Sequence, residues 1–487
     1  MNTRATNEGT QGAVILWLRS DLRLTDNRAL NAAANTGKSV IPVFILDDST
    51  AGEWSPGGAS RWWLHHSLVS LSAGIRALGG RLILRRGDSR AELARLIEEA
   101  QADELCFTRC YEPNAVELEK SVADALSSRV AVRRFGGHLL FEPEQLRTKA
   151  GAPFRVFSPF WKACLREPDP GAPKTTSRPI DFSDHALASD SLDDWSLLPE
   201  SPDWAGGLRD NWQPGEAGAH SALQVFTEQA VGAYQEQRDR PDLQGTSRLS
   251  AHLHFGEISP RQVWHAVNSE LHFDSSLSRG GESWLREIGW REFSYHLLTH
   301  WPDLPEQPFR KEFSTFPWRS DPEALGCWQR GMTGYPLVDA GMRELWVTGW
   351  MHNRVRMIAA SFLVKHLLIP WQEGEAWFWD TLVDADLANN SAGWQWVAGS
   401  GADAAPFFRI FNPIVQGKKF DPDGDYVRRW VPELAGVPTK YLHEPWSAPP
   451  ELLADAGVAI GKDYPAPIVE HAAARERALE AFKSLRR

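Results

Sequence analysis

Short apolar runs and amphipathic stretches alternate over the first third of the chain. Residues 13–17, 40–46, 81–84, 105–108 and 130–134 each concentrate apolar or β-branched side chains. Between them, 62–78 and 91–100 have helical spacing, the second through Leu93, Leu96 and Ile97. Strand–helix–strand repetition of this period predicts an α/β domain over 12–141, built on a five-stranded parallel doubly wound sheet. Residues 142–218 break the pattern. They are rich in Pro, Ser, Asp and Gly, and predict a long interdomain connector draped over the surface. From 219 the strand signal fades. Segments 221–238, 260–271, 282–300, 337–348 and 354–366 have helical periodicity, so 219–487 reads as an all-α domain that closes on a helical segment at 471–485. No fixed-period repeat is visible.

The length of 487 residues agrees with this two-domain division. The longest apolar run, near 357–364, is cut by Lys365, and residues 1–12 are polar with no signal-peptide core. Together these predict a cytoplasmic protein without membrane contact. Cys106, Cys110, Cys164 and Cys327 form no C-x-x-C pair, which argues against a disulfide framework and against a cysteine-built metal site. Cys106 and Cys110 read as half-buried thiols around a strand end. The net charge of −11 is not a nucleic-acid signature, although local patches rather than averages bind phosphate. The 23 tryptophans change the picture more. They either wall an aromatic cofactor and carry electrons, or fill a large aromatic-rich helical core, which accounts for most of them.

The common enzyme signatures are missing. The turn after the first apolar run reads Leu18-Arg19-Ser20-Asp21-Leu22-Arg23, with no glycines for a pyrophosphate. Gly399-Ser400-Gly401 with Ala404 fits a dinucleotide fingerprint only formally, because it follows a helical stretch. P-loop, zincin and nucleophile-elbow patterns are absent. The distinctive text lies in the helical half. Gly245-Thr246-Ser247-Arg248-Leu249-Ser250 offers hydroxyl and backbone donors either to a phosphate or to a capped helix start. Trp284, Glu287 and Arg291 share one helical face, with Trp290 at its edge. A carboxylate among aromatics is either used or paired, here with an arginine of the same helix. Arg354 and Arg356, in Trp350–Met357, need acidic partners or phosphates. Two aspartates, two asparagines and two tryptophans crowd Asp384–Trp396.

These runs resemble the flavin and substrate signature of the photolyase/cryptochrome family. Ala405-Pro406-Phe407-Phe408-Arg409-Ile410-Phe411-Asn412-Pro413 continues the resemblance, as do the Leu18–Arg23 turn and Asp26, Asn27 and Leu30. It covers nearly the whole chain and implies the same two domains.

The resemblance implies a light-driven enzyme that splits cyclobutane pyrimidine dimers in single- or double-stranded DNA, using FAD held in the helical domain. Tyr234, Thr246, Ser247, Arg248, Leu249, Ser250 and Arg291 would hold the ribityl and phosphate parts. Arg356 and Asp384 would pair over the flavin ring, Asp386 would touch the ring or ribose edge, and Asn390 would face the redox-active ring nitrogen. Glu287 would bind the damaged bases as a protonated acid. Trp290 and Trp396 would stack on the flipped-out dimer, with Asn353 and Met357 completing the wall. Arg354 and Arg409 would contact DNA phosphates, Arg238 less strongly; for Arg409 a solvated surface role is an equal alternative. Trp394, Trp371 and Trp318 would relay electrons inward, against core packing as the alternative. Asn353 and Met357 stand where 6-4 photolyases carry a histidine pair, and 60–68 resembles plant cryptochromes and class III photolyases. The class III branch is therefore the expectation, with a blue-light sensor or a 6-4 enzyme as alternatives. An antenna chromophore, methenyltetrahydrofolate first, is expected near Cys110–Ala115, where Ala115 departs from an acidic residue and Glu112 would substitute. No metal is expected, and the working unit is expected to be a monomer.

Overall fold

The computed structural model of the chain describes residues 12–182 and 186–485. Five parallel strands, β1 (Ala13–Leu18), β2 (Ser39–Leu46), β3 (Ile83–Arg86), β4 (Ala102–Thr108) and β5 (Ala131–Phe135), pair in the order β3-β2-β1-β4-β5. All five expected strands form, and β3 begins two residues into its apolar run. In β1, Val14, Leu16 and Leu18 face a core shared with the helices Arg28–Asn35 and Gly58–Ala77. Ala13, Ile15 and Trp17 face the opposite core, shared with the helices Ser89–Ala100 and Pro113–Leu126. Cover on both sides explains why the strands read as unbroken apolar runs. Asn27 and Asp88 set two helix starts by accepting from the Leu30 and Ala91 amides. Cys106 and Cys110 lie at and just beyond β4, fully buried rather than half-buried.

The 142–218 stretch is more than a surface connector. Its helix Phe157–Cys164 sends Phe157, Phe160, Trp161 and Cys164 into the core of the helical half. Asp181 accepts the Val40 amide at 2.7 Å beside β2, and Ala205 and Leu208 join the core on one sheet face. Helices this short show too little periodicity to stand out among prolines and glycines. The helical half opens with Glu216–Gln229, three residues before the expected boundary. The expected 221–238 helix breaks and resumes at Tyr234–Gln237. The 354–366 segment is an α-helix, Asn353–Ser361, that widens into a π turn at Phe362–His366. Lys365, which interrupts the apolar run in sequence, is itself buried there. Its Nζ donates to the Arg409 carbonyl at 3.0 Å.

The Leu18–Asn27 segment joins the two halves. The Leu22 amide donates to Phe255 O at 3.1 Å, and Arg23 Nη1 to Gly256 O at 2.8 Å. Asp26 pairs with Arg261 and accepts Ser259 Oγ at 2.6 Å. Gly256 has φ +66°, and a Cβ there would run into the Ser20 backbone, so only glycine lets the chains approach this closely. Among the described residues no helix is long and apolar enough to cross a membrane.

Candidate active site

The helix Ser278–His300 packs against Leu387–Ala398, which in turn packs against Trp371–Thr381 and Asn353–Ser361. These four helices, with the turn at 245–250, carry most of the residues singled out by sequence.

In the turn, Thr246, Ser247 and Arg248 are half-buried and Leu249 is buried, whereas Ser250 faces solvent. Ser250 therefore does not share the interior placement of its neighbours. It opens the helix Ser250–His254, whose N-cap, Leu249, makes no side-chain cap bond. The Thr246 and Ser247 hydroxyls are thus not spent on capping that helix. Arg248 has φ +53°, and its guanidinium lies 4.2 Å from the Trp212 ring and 4.9 Å from the Trp350 ring. Tyr234 is buried nearby, its ring 5.6 Å from the Arg238 guanidinium.

Arg356 and Asp384 pair as expected, Nη2 reaching both carboxylate oxygens at 3.1 and 2.9 Å. Arg356 Nε donates to Met351 O at 2.7 Å, which fixes the plane of the fork. Asn390 donates its side-chain Nδ2–H to the backbone carbonyl of Glu375 at 3.0 Å. That bond turns its Oδ1 to the other side, as an acceptor.

Two expected cofactor contacts are otherwise engaged. Arg291 donates to His138 O at 2.9 Å and bonds His138 Nε2 at 2.9 Å, with its guanidinium 4.9 Å from the Tyr295 ring. Asp386 caps its helix by accepting from the Asn389 amide at 2.9 Å, and takes the Tyr295 hydroxyl. Desolvation works against its charge, but His254, Arg291 and these donors hold the carboxyl well below its usual range. His138 and Tyr295 escaped the sequence reading. Tyr295 had a signal, since it lies one turn after Arg291 on the same face; His138 had none.

On the outer side, Glu287 and Trp290 are partly exposed on one helix and Trp396 is partly exposed on its neighbour. Glu287 pairs with Arg238 at 2.6 Å rather than with Arg291. Burial raises its carboxyl above the ordinary range, and Arg238 opposes the rise. Met357 is half-buried against the core, and Asn353 is exposed at the start of its helix. Arg354 does not present a free charge. It pairs with Asp239 at 2.8 Å and lies 4.6 Å from the Phe420 ring. Arg238 is likewise answered by Glu287. Arg409 is exposed, its guanidinium 5.6 Å from the Phe411 ring.

Trp394 and Trp371 are buried in one apolar cluster, against which Trp318 packs half-buried. Trp394 fills the space beside Gly374, where any Cβ would overlap its ring, and meets Phe378 at 5.0 Å. Among the described residues no cluster of His, Cys, Asp and Glu could hold a metal ion.

Arg248 Nε, His352 Nε2 and Trp394 Nε1 are buried without a hydrogen-bond partner. Leaving such atoms unmet costs about 1–3 kcal/mol each, which suits a site made for a polar ligand. The family model described as the FAD binding domain of DNA photolyase matches residues 284–484, and the one described as DNA photolyase matches 14–179. The unmet donors, the free hydroxyls of the 246–247 turn, the Arg356–Asp384 fork and the Asn390 carboxamide fit FAD. The chain is 52% identical to the deoxyribodipyrimidine photo-lyase of Agrobacterium fabrum, covering 97% of this chain and 98% of that one. It is 39% identical to cryptochrome-1 of Arabidopsis thaliana, covering 98% of this chain and 71% of the relative. The crystal structure of a bacterial class III photolyase from Agrobacterium tumefaciens superposes with a TM-score of 0.95 at 51% identity, covering 99% of this chain and 100% of that one. With both halves matched by family models and a relative 52% identical over 98% of its own length, the chain belongs to the photolyase/cryptochrome family.

Proposed function

We propose that this protein is a deoxyribodipyrimidine photo-lyase of the class III branch, which repairs cyclobutane pyrimidine dimers in UV-damaged DNA under light. The observation that carries the reading is the placement of Glu287 and Trp290 on one helix, packed against the helix that bears Asn390 and Trp396. When bound, FAD supplies one-electron chemistry driven by light. The protein's part is to bind, orient and keep dry.

Trp290 and Trp396 offer aromatic faces to a dimer taken out of the duplex. Glu287, whose carboxyl burial raises while Arg238 opposes the rise, is the hydrogen-bonding partner for the damaged bases. Arg409 contacts a phosphate. Asn390 accepts at Oδ1, which favours a protonated neighbour over a bare one. Arg356 and Asp384 hold each other in place and would contact the flavin when it is bound. Trp394, Trp371 and Trp318 line a route for electrons from the protein surface. For the antenna we favour methenyltetrahydrofolate, with Glu112 as its acidic partner at the start of the Pro113–Leu126 helix, where its side chain makes no cap bond. Two polar neighbours in the segment are already engaged. The Tyr111 hydroxyl donates to Glu142 at 2.8 Å, and Asn114 Nδ2 to Ala51 O at 3.0 Å.

The test is repair of a thymine dimer in a short oligonucleotide by the reduced, FAD-loaded protein, in blue light and in the dark. Light-dependent recovery of thymine absorbance is expected. Bound, reducible FAD without dimer repair would overturn the reading in favour of a sensor or a 6-4 enzyme.

A further inference from the structure

Trp290 does not stand alone at the pocket. Its ring lies parallel to Phe157, with centroids 3.7 Å apart and planes within 8°. Phe157 is 1% exposed, whereas Trp290 is partly exposed, so the stack has a closed side and an open side. Trp161, one turn along the same short helix, is also parallel to Phe157, with centroids 6.3 Å apart and planes within 9°. That helix can lie this close to Ser278–His300 because residue 289 is glycine. A Cβ there would sit 2.5 Å from Trp161 Cε3. The same short helix begins without a side-chain cap of its own at Val156. The cap comes from elsewhere. Asp403 Oδ2 accepts the Phe157 amide at 3.0 Å, from the loop that leads from the Trp396 helix to Arg409. One residue thus touches a pocket indole through its side chain and the substrate-side loop through its backbone.

We propose that Phe157 is a positioning residue for the damaged base: it closes one face of Trp290 and aims the other at the substrate. An indole with both faces free can swing or stack on either side. One backed by a buried ring presents a single plane in a fixed place, and ordering it adds nothing to the cost of binding. The inference rests on the dimer-repair reading above, because it needs a base to stack on Trp290.

The experiment compares wild type, Phe157→Leu, Phe157→Tyr and Asp403→Ala as full-length, FAD-loaded proteins. Wild-type repair is measured first, so failure of the functional reading shows there and nowhere else. Phe157→Leu keeps apolar volume and removes the flat ring. It should bind dimer DNA about 3- to 10-fold more weakly, as expected for one lost aromatic stack. Affinity for undamaged DNA should be unchanged, and repair per photon at saturating DNA should fall less than twofold. Phe157→Tyr should recover dimer affinity. In a Trp290→Ala background, Phe157→Leu should cost nothing further. Equal losses on both DNAs, or an additive loss in that background, would overturn the proposal. Asp403→Ala tests it from outside the core if Phe157→Leu does not fold: a loss confined to dimer DNA supports it, and unchanged dimer affinity overturns it.

Discussion

Arg238 and Glu287 form an ion pair at 2.6 Å, across a site where the carboxyl is otherwise driven toward its neutral form. Two effects oppose each other. Burial raises the Glu287 pKa and Arg238 lowers it, with a net rise. A raised acid keeps its proton to higher pH. Repair that uses the neutral acid is therefore fullest on the acidic side and declines as pH rises through the Glu287 pKa. Arg238→Met removes the lowering cation, so the declining limb should move to higher pH. Repair yield measured from about pH 5 to about pH 9 reads both effects. A limb unmoved by Arg238→Met would show that the pair does not tune the acid.

Asn390→Asp should disturb the flavin more than the fold. The asparagine amide is spent on the Glu375 carbonyl at 3.0 Å, a bond a carboxylate cannot donate. The substituted side chain must turn away from that carbonyl, and it brings a negative charge to the pocket. The variant should still bind FAD but hold its fully reduced form less well. Visible spectra during photoreduction should show this, with thermal unfolding little changed.

Trp394→Phe and Trp371→Phe separate electron supply from repair. Both indoles are buried in one cluster with Trp318 at its margin. Each substitution should slow photoreduction of oxidised FAD by about tenfold or more, the effect expected when about 1.4 kcal/mol or more is added to a barrier. Protein reduced chemically beforehand should repair at close to the wild-type rate. An equal loss in both assays would assign these residues to packing.

Two buried groups make stability depend on pH with opposite signs. Glu344 accepts the Tyr426 hydroxyl at 2.6 Å, and burial raises its pKa to about 7 from an ordinary 4.5. Its stabilisation is complete below the ordinary value and is lost as pH rises toward 7. The loss is on the order of 3 kcal/mol. Lys365 is lowered from 10.5 to about 7, chiefly by burial. Its contribution is present above the ordinary value and is lost as pH falls toward 7. Denaturant unfolding should show Glu344→Gln flattening the acidic window. Lys365→Met should gain more stability at about pH 6 than at about pH 9.

The five strands and the positions of the motifs could be read from sequence, for a direct reason. A strand covered on both faces must be apolar at every position, as β1 is from Ala13 to Leu18. The Arg356–Asp384 pair was also legible, because the motifs that contain them brought a specific resemblance with them. The fates of other arginines were not. Sequence shows that a guanidinium needs an acid or a phosphate, but not which one lies nearby. Arg354 takes Asp239, 115 positions away, and Arg291 takes His138, 153 positions away.

From its residue types and their order, the chain committed itself to a parallel sheet and a helical partner domain, since these follow from burial pattern, while its motifs carried the resemblance to a flavin and substrate signature. Which side of Trp290 is open, which face of Asn390 is an acceptor and which cations remain unanswered were settled by folding. Each depends on a neighbour brought close by packing: Phe157 from the stretch that looked like bare connector, the Glu375 carbonyl from an adjacent helix, and Asp239 from a distant turn. Proximity between distant positions is a property of the packed chain, and no local period or motif encodes it.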